Sequence, residues 1–315
     1  MKKILVIGAC GQIGVEITLA LRDKFGDENV IACDIREEND LLKGSGTFVT
    51  LDVLDIQKTT ELVKKENITD IYLLAALLSA TGEKNPKLCW DLNMNSLRSI
   101  LDICREENIK LFWPSSIAVF GPTTPRDATS QNTVMEPTTM YGVTKYAGEL
   151  LCQYYRNKFG VDVRSIRYPG LISWKGEPGG GTTDYAVDIF YGAIKENKYN
   201  CFLKKGTYLP MMYMDDAITA TIGIMESPIE NIKSSMSYNL SALSFSPKDI
   251  AEEIKKHVPE LVVTYEPDQR QAIAESWPAS IDDSVARADW GWKHEFDLPK
   301  MVKVMLRNLK EKLNK

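Results

Sequence analysis

The sequence predicts an α/β fold in which a doubly wound parallel sheet carries a smaller, irregular α/β lobe. Short β-branched runs alternate with longer amphipathic stretches through the first half of the chain, a rhythm typical of βαβ units. A glycine-rich segment separates the first run from the first amphipathic stretch. The 315 residues, 44% hydrophobic and 26% charged, suffice for one large domain and a second lobe.

The alternation predicts the elements in order. The predicted strands of the large domain are Ile4–Ile7, Val30–Cys33, Thr47–Leu51, Ile71–Ala75, Lys110–Pro114 and Val163–Tyr168. The predicted helices are Gln12–Lys24, Asp55–Glu66, Pro86–Asn108, Met140–Phe159 and, at the end of the chain, Pro299–Lys312. A polar residue followed by proline favours helix starts at Asn85-Pro86 and Ser246-Pro247. We assign residues 1–170, with a return segment near 207–235, to the large domain, and residues 171–206 and 236–315 to the lobe.

Composition excludes several classes of function. A net charge of −5 leaves no broad cationic surface for a phosphate backbone, so we expect no nucleic-acid partner. No run of about twenty apolar residues is present, and Gly8 interrupts the first apolar run, so we expect no membrane span, no signal peptide and a cytoplasmic location. The six cysteines lack a Cys-x-x-Cys pair and are expected to be reduced core thiols. With only His257 and His294, we expect neither a catalytic triad nor a metal site.

The glycine-rich segment predicts a dinucleotide site. Gly8, Gly11 and Gly14 lie between the first strand and the first helix, where glycines let the backbone approach a pyrophosphate at the helix N-terminus. Asp34 ends the second strand about 20 residues later, where a carboxylate can accept both ribose hydroxyls. Its charge would repel a 2′-phosphate even with Arg36 nearby, so we expect NAD and not NADP. The alternative is a tight structural turn followed by an acid at a strand end.

Tyr141 and Lys145 are the candidate catalytic pair. They are four residues apart in one predicted helix, so their side chains share a face. An ammonium beside a phenol favours the phenolate and should lower the tyrosine pKa from about 10, which allows proton transfer from an alcohol. Ser115 and Ser116 follow the strand that begins at Lys110, and ligands of a parallel sheet bind at the carboxyl ends of its strands. We therefore expect Ser116 to donate a hydrogen bond to a substrate oxygen beside Tyr141.

These motifs, followed by Arg167-Tyr168-Pro169, occur in the order found in the extended short-chain dehydrogenases/reductases, which residues 1–170 resemble. The resemblance implies an NAD-binding Rossmann domain in which Tyr141 is the acid/base, Lys145 binds the nicotinamide ribose and Ser116 positions the reacting oxygen. The cofactor contacts that follow from the residues and the resemblance together are Gly8, Gly11, Gln12, Ile13, Gly14, Asp34, Asp52, Val53, Leu74, Ala75, Ala76, Asn93, Tyr141, Lys145 and Tyr168. For Asp52, an adenine contact and a simple turn residue both remain open. Ile7 departs from the threonine that this family often has before the first glycine.

The substrate prediction depends on the rest of the chain. Nucleotide-sugar enzymes of this family often carry a diphosphate-clamping arginine where this chain has Leu209, which argues against a nucleotide sugar. Residues 79–86, 178–185 and 276–280 resemble the branch of the family that oxidises the β-hydroxyl of L-threonine with NAD. That resemblance, over essentially the whole chain, implies substrate contacts from Ser79, Ser116, Tyr141, Thr182 and Thr183, with Gly180-Gly181 letting a loop close. The alternative is a mobile surface loop with a helix cap at Thr182 or Thr183.

Two other functions remain open. A nucleotide-sugar epimerase or dehydratase would use Tyr141 and Lys145 in the same way on the same scaffold. A non-catalytic NAD-binding sensor would keep the glycine loop without chemistry. The family often pairs the helices predicted at 86–108 and 140–159 across a two-fold axis, so we also expect a homodimer.

Overall fold

A six-stranded parallel sheet forms the centre of the large domain. The structure is a computed structural model that describes residues 2–176, 181–234 and 236–314. The strands of this sheet are β1 (Ile4–Ile7), β2 (Val30–Asp34), β3 (Phe48–Thr50), β4 (Asp70–Leu73), β5 (Lys110–Phe112) and β7 (Val163–Arg164). Their order is β3-β2-β1-β4-β5-β7, so the chain changes direction across the sheet between β1 and β4. The predicted doubly wound α/β fold is confirmed, and its carboxyl edge at this change of direction is where such sheets bind ligands.

The remaining described strands form three smaller sheets. They are β6 (Ser115–Ser116), β8 (Ile166–Tyr168), β9 (Gly170–Ile172), β10 (Lys198–Cys201), β11 (Leu209–Tyr213), β12 (Tyr238–Asn239), β13 (Leu243–Phe245) and β14 (Val262–Tyr265). They pair in the orders β12-β8-β6, β13-β11-β9 and β10-β14. In the first of these sheets, β6 follows β5 along the chain and β8 follows β7, so this sheet lies next to the carboxyl edge of the large sheet.

Helices cover the sheets. The described helices are α1 (Gln12–Phe25), α2 (Ile56–Glu66), α3 (Ser79–Lys84), α4 (Pro86–Glu107), α5 (Met140–Phe159), α6 (Tyr185–Lys195), α7 (Met214–Glu226), α8 (Pro247–Lys255), α9 (Arg270–Ser276), α10 (Ser284–Trp290) and α11 (Leu298–Leu313). All four residues of β1 are buried, and its alternate side chains belong to two different apolar cores. A third core includes residues of α6, α8 and α11. Burial on both faces explains why β1 reads as a continuous apolar run.

Most predicted boundaries agree with the structure to within two residues. Two predicted strands are each divided into two shorter strands. The strand predicted at 110–114 ends at Phe112, and the serines form a separate strand, β6, because Pro114 has no amide hydrogen with which to continue the pairing. The strand predicted at 163–168 is likewise two strands, β7 in the large sheet and β8 beside β6. Ser246 does cap α8 through a capping box, whereas the Asn85 side chain makes no capping bond at the start of α4.

Two further sequence predictions can be compared with the fold. The six cysteines are free thiols as predicted; five are buried, but Cys10 is partly exposed in the glycine loop and is not a core residue. In the part of the chain that the structure describes, no helix is long and apolar enough to cross a membrane. The division between the large domain and the lobe remains a prediction.

Candidate active site

The glycine loop has a shape that only glycine permits. Gly8 has φ +87°, and a Cβ atom there would lie 2.6 Å from the amide nitrogen of Ala75. A Cβ on Gly14 would lie 2.2 Å from the carbonyl oxygen of Gly8. Gly11 stands at the N-cap of α1 without a side-chain capping bond, so the first amides of the helix are left for another acceptor. An uncapped helix start behind a tight loop fits a dinucleotide pyrophosphate.

Asp34 stands at the end of β2, as predicted, and is 5% exposed. Its Oδ2 accepts hydrogen bonds from the Cys10 amide at 2.9 Å and from Arg36 Nη2 at 3.2 Å. Its Oδ1 accepts from the Arg36 amide and from Arg36 Nε, both at 3.0 Å. Burial alone would raise the Asp34 pKa, but the bonds from Arg36 and Cys10 outweigh it and hold that pKa below its usual value. Since a carboxylate offers about four acceptor positions, ribose hydroxyls can bind Asp34 only if the Arg36 guanidinium moves aside.

The side chains of two other predicted cofactor residues make hydrogen bonds within the protein. Asp52 is exposed and accepts a hydrogen bond from the Leu54 amide at 2.9 Å, which is the role of a turn residue. Buried Asn93 accepts from the Leu77 amide at 2.8 Å and donates to Thr144 Oγ1 at 3.0 Å. Asn93 therefore ties the segment after β4 to α5, while the cofactor contacts of both residues remain predictions.

Tyr141, Lys145 and Ser116 meet at the carboxyl edge of the sheet. Lys145 Nζ lies 5.5 Å from the centroid of the Tyr141 ring and 4.6 Å from that of Trp113, and it donates a 2.7 Å hydrogen bond to the Pro114 carbonyl. Lys145 is 3% exposed, and this burial lowers its pKa to about 8. The arrangement follows from α5 packing against β6, which brings one helix face to the two serines.

The predicted lowering of the Tyr141 pKa is wrong for this structure. Burial raises the pKa of Tyr141 to about 12, although a hydrogen bond between its side chain and Ser116 acts in the opposite direction. The physical reason is that loss of solvent penalises the phenolate, while the Lys145 ammonium is directed at the Pro114 carbonyl. The spacing correctly predicted a shared helix face but overstated the electrostatic effect.

A buried ion pair next to the candidate catalytic residues was missed by sequence reasoning. Arg167 Nε and Nη2 donate to the two oxygens of Glu149 at 2.9 and 2.8 Å, and both residues are 0% exposed. Ser115 Oγ donates to Glu149 Oε1 at 2.5 Å. Glu149 follows Lys145 by one helical turn, and Ser115 pairs with Arg167 in the register of β6 and β8. The signal that could have identified this pair was the acid four residues after Lys145, on the same helix face.

The remaining predicted substrate residues lie at the start of α3 and just before α6. Ser79 begins α3 and is partly buried, Thr182 is buried, and Thr183 is partly buried with its methyl region against Gly170. Residues 177–180 of the predicted loop, including Gly180, lie outside the described residues. Neither threonine caps α6, because the helix begins at Tyr185 with residue 184 at the N-cap.

The residue at the position where nucleotide-sugar enzymes often carry an arginine is apolar, and it lies in the interior of the protein. Leu209 begins β11, is fully buried and pairs with Phe245. Across residues 2–176, 181–234 and 236–314, no group of three or more His, Cys, Asp or Glu side chains is placed to hold a metal ion.

Known proteins are similar to this chain in sequence and fold. Residues 4–241 match the model of the NAD dependent epimerase/dehydratase family. A Staphylococcus haemolyticus protein described as an uncharacterized epimerase/dehydratase is 50% identical over 314 residues, covering 99% of each chain. The solved holo form of L-threonine dehydrogenase from Cupriavidus necator is 54% identical, with a TM-score of 0.95 over 98% of this chain and 99% of that one. A monomeric L-threonine 3-dehydrogenase from a metagenome is 48% identical, with a TM-score of 0.94 over 99% of this chain and 100% of that one.

The family match covers the glycine loop, Asp34, Ser116, and the Tyr141 and Lys145 pair, so it spans the candidate site described above. Similarity to both the curated relative and the solved structures extends over nearly the full length of the chain. This chain belongs to the NAD-dependent epimerase/dehydratase family.

Proposed function

We propose that this protein is an NAD-dependent dehydrogenase that oxidises the β-hydroxyl of L-threonine to give 2-amino-3-oxobutanoate. The observation that carries the proposal is the meeting of the Tyr141 and Ser116 side chains beside Lys145, at the edge of the sheet that also bears the glycine loop. Similarity to solved L-threonine dehydrogenases supports the choice of substrate.

The proton is handled by three side chains. Tyr141 accepts the proton of the substrate hydroxyl, and Ser116 holds the reacting oxygen through its own hydroxyl. With a pKa of about 12, the Tyr141 phenol keeps its proton at neutral pH until a positive charge stabilises the phenolate. We assign this stabilisation to the Lys145 ammonium, which is charged below about pH 8 and would turn from the Pro114 carbonyl toward the phenol. Bound NAD⁺ would supply the hydride acceptor.

The cofactor is assigned to residues already described. The first amides of α1 would bind the pyrophosphate, and Asp34 would bind the adenosine ribose once Arg36 moves aside. The buried carboxylate favours NAD over NADP because a 2′-phosphate would face a like charge.

The pocket chemistry favours a small zwitterion. L-Threonine carries no net charge, so hydroxyl groups such as those of Ser79, Thr182 and Thr183 can orient it without a guanidinium clamp. A nucleotide sugar carries two phosphates, and Leu209, buried at the position where nucleotide-sugar enzymes often have an arginine, cannot pair with them.

We propose a homodimer formed through α4 and α5, which pack against each other. Large apolar side chains remain exposed on these helices: Leu88 is 53%, Trp90 42%, Leu150 45% and Tyr154 54% exposed. A two-fold axis beside the helices would bury them. Sedimentation equilibrium should give about twice the chain mass; the mass of a single chain would place this protein with its monomeric relative.

A substrate panel tests the proposed reaction. NADH formation is measured with L-threonine, D-threonine, the allo isomers, L-serine and UDP-sugars. The proposal expects the highest kcat/KM with L-threonine and no turnover of UDP-sugars. Tight binding of UDP without threonine-dependent NADH formation would instead indicate a nucleotide-sugar enzyme. Thermal stabilisation by NAD⁺ without turnover of any alcohol would indicate a sensor.

A further inference from the structure

One exposed carboxylate joins two parts of the candidate active site. Glu83 lies near the end of α3, and its Oε1 accepts a hydrogen bond from the amide of Met140 at 2.6 Å. Met140 is the first residue of α5 and directly precedes Tyr141. The start of α5 also has its own cap, because Thr139 Oγ1 accepts from the Gly142 amide at 3.1 Å. Glu83 therefore accepts a hydrogen bond from an amide that this cap leaves free. Its negative charge is also favourable at a helix N-terminus.

Close packing keeps α3 against Tyr141. Gly82 is buried, and a Cβ there would lie 2.9 Å from Cys89 Sγ and 3.9 Å from Tyr141 Cβ. Before the helix, the Leu77 amide donates to Asn93 Oδ1 at 2.8 Å. The segment is thus held at Leu77 on one side and at Glu83 on the other.

Ser79 lies between these two attachments. With six residues, α3 is too short to hold its position without tertiary contacts. The bond at Leu77 fixes the side that leads from β4, where the predicted cofactor residues are. The bond from Glu83 fixes the side that faces α5. Loss of the Glu83 bond should therefore change the distance from Ser79 to Tyr141 more than it changes the position of the cofactor segment.

We propose that Glu83 is a positioning residue that holds the Ser79 hydroxyl at the correct distance from Tyr141 for the amino-acid substrate. The inference rests on the proposed function and assigns it an additional residue. Glu83 touches neither substrate nor cofactor; it acts through the backbone of Met140. Its loss should weaken substrate recognition and leave cofactor affinity unchanged.

The kinetic test compares three variants with the wild type. Glu83→Ala removes the acceptor, Glu83→Gln keeps an acceptor oxygen at the same place, and Lys84→Ala changes an exposed neighbour on the same helix as a control. Glu83→Ala should raise the KM for L-threonine roughly tenfold, a size typical for loss of a hydrogen bond to a charged group. The Kd for NAD⁺ should stay within about twofold in all three variants. Lys84→Ala should resemble the wild type, and Glu83→Gln, which keeps the acceptor without the charge, should lie closer to the wild type than Glu83→Ala does.

Three results would overturn the proposal: an unchanged KM in Glu83→Ala, a parallel loss of NAD⁺ affinity, or equal impairment in Glu83→Gln. Hydrogen exchange provides a second readout that needs no turnover. Exchange should become faster across residues 78–84 and at the Met140 amide in Glu83→Ala alone, and equal rates in all proteins would refute the attachment. If the wild type forms no NADH from L-threonine, the proposed function fails, while this exchange result still decides whether Glu83 holds α3.

Discussion

Burial of Lys145 should make the stability of this protein depend on pH in a specific way. Burial lowers the Lys145 pKa from 10.5 to about 8 in the folded chain. Between these two pH values the unfolded chain binds more protons than the folded chain, so stability rises with pH. Below pH 8 the ammonium is charged in both states and its full burial penalty is present. Lys145→Met removes this titration and therefore this part of the pH dependence.

The magnitude follows from the two pKa values. Their separation corresponds to about 3 kcal/mol in total, of which about 2–3 kcal/mol is relieved between pH 7 and pH 10. The assay is urea unfolding of the wild type and Lys145→Met at several pH values. The free energy of unfolding of the wild type minus that of Lys145→Met should increase by this amount between pH 7 and pH 10. Lys158→Met, at an exposed position near the end of the same helix, controls for loss of one lysine charge.

The pH dependence of the difference is the informative quantity. Lys145→Met also loses the bond to the Pro114 carbonyl and the contact with Trp113, but these losses do not depend on the titration of Lys145. Curves for the wild type and Lys145→Met that stay parallel from pH 7 to pH 10 would refute the assigned pKa and the role built on it.

Three further substitutions test other parts of the site. Gly14→Ala would place a Cβ 2.2 Å from a loop carbonyl and should weaken NAD⁺ binding roughly tenfold or more, as measured by calorimetry. Arg36→Ala should tighten NAD⁺ binding severalfold because Asp34 regains free acceptor positions, and weaker binding would show that the guanidinium assists the cofactor. Arg167→Met leaves the buried Glu149 charge without its partner and should cost about 3–5 kcal/mol in urea unfolding. A loss below about 1 kcal/mol would mean that water or another group replaces the guanidinium.

Local sequence patterns predicted the parts of the site that local geometry determines. The glycine spacing and the apolar run before it were sufficient to place the loop between β1 and α1. The four-residue spacing of Tyr141 and Lys145 was sufficient to place both side chains on one face of α5. Asp34 was placed correctly because strand ends follow from the alternation of elements.

Features that depend on tertiary contacts could not be predicted in this way. The Tyr141 pKa is raised by burial, and the extent of burial is decided by elements distant in sequence. The Glu149 and Arg167 pair forms because β8 passes beneath α5, 18 residues away along the chain. The Glu83 bond spans 57 residues and required the position of α3, a helix that the alternation did not predict.

The most direct test of the central claim measures NADH formation from L-threonine by the wild type and by Tyr141→Phe, together with the Kd for NAD⁺ of each. Only the proton acceptor is lost in the variant, so kcat should fall roughly 10²–10⁴-fold while the Kd stays nearly constant. Turnover close to that of the wild type in Tyr141→Phe, or no threonine-dependent NADH formation by the wild type, would contradict the account.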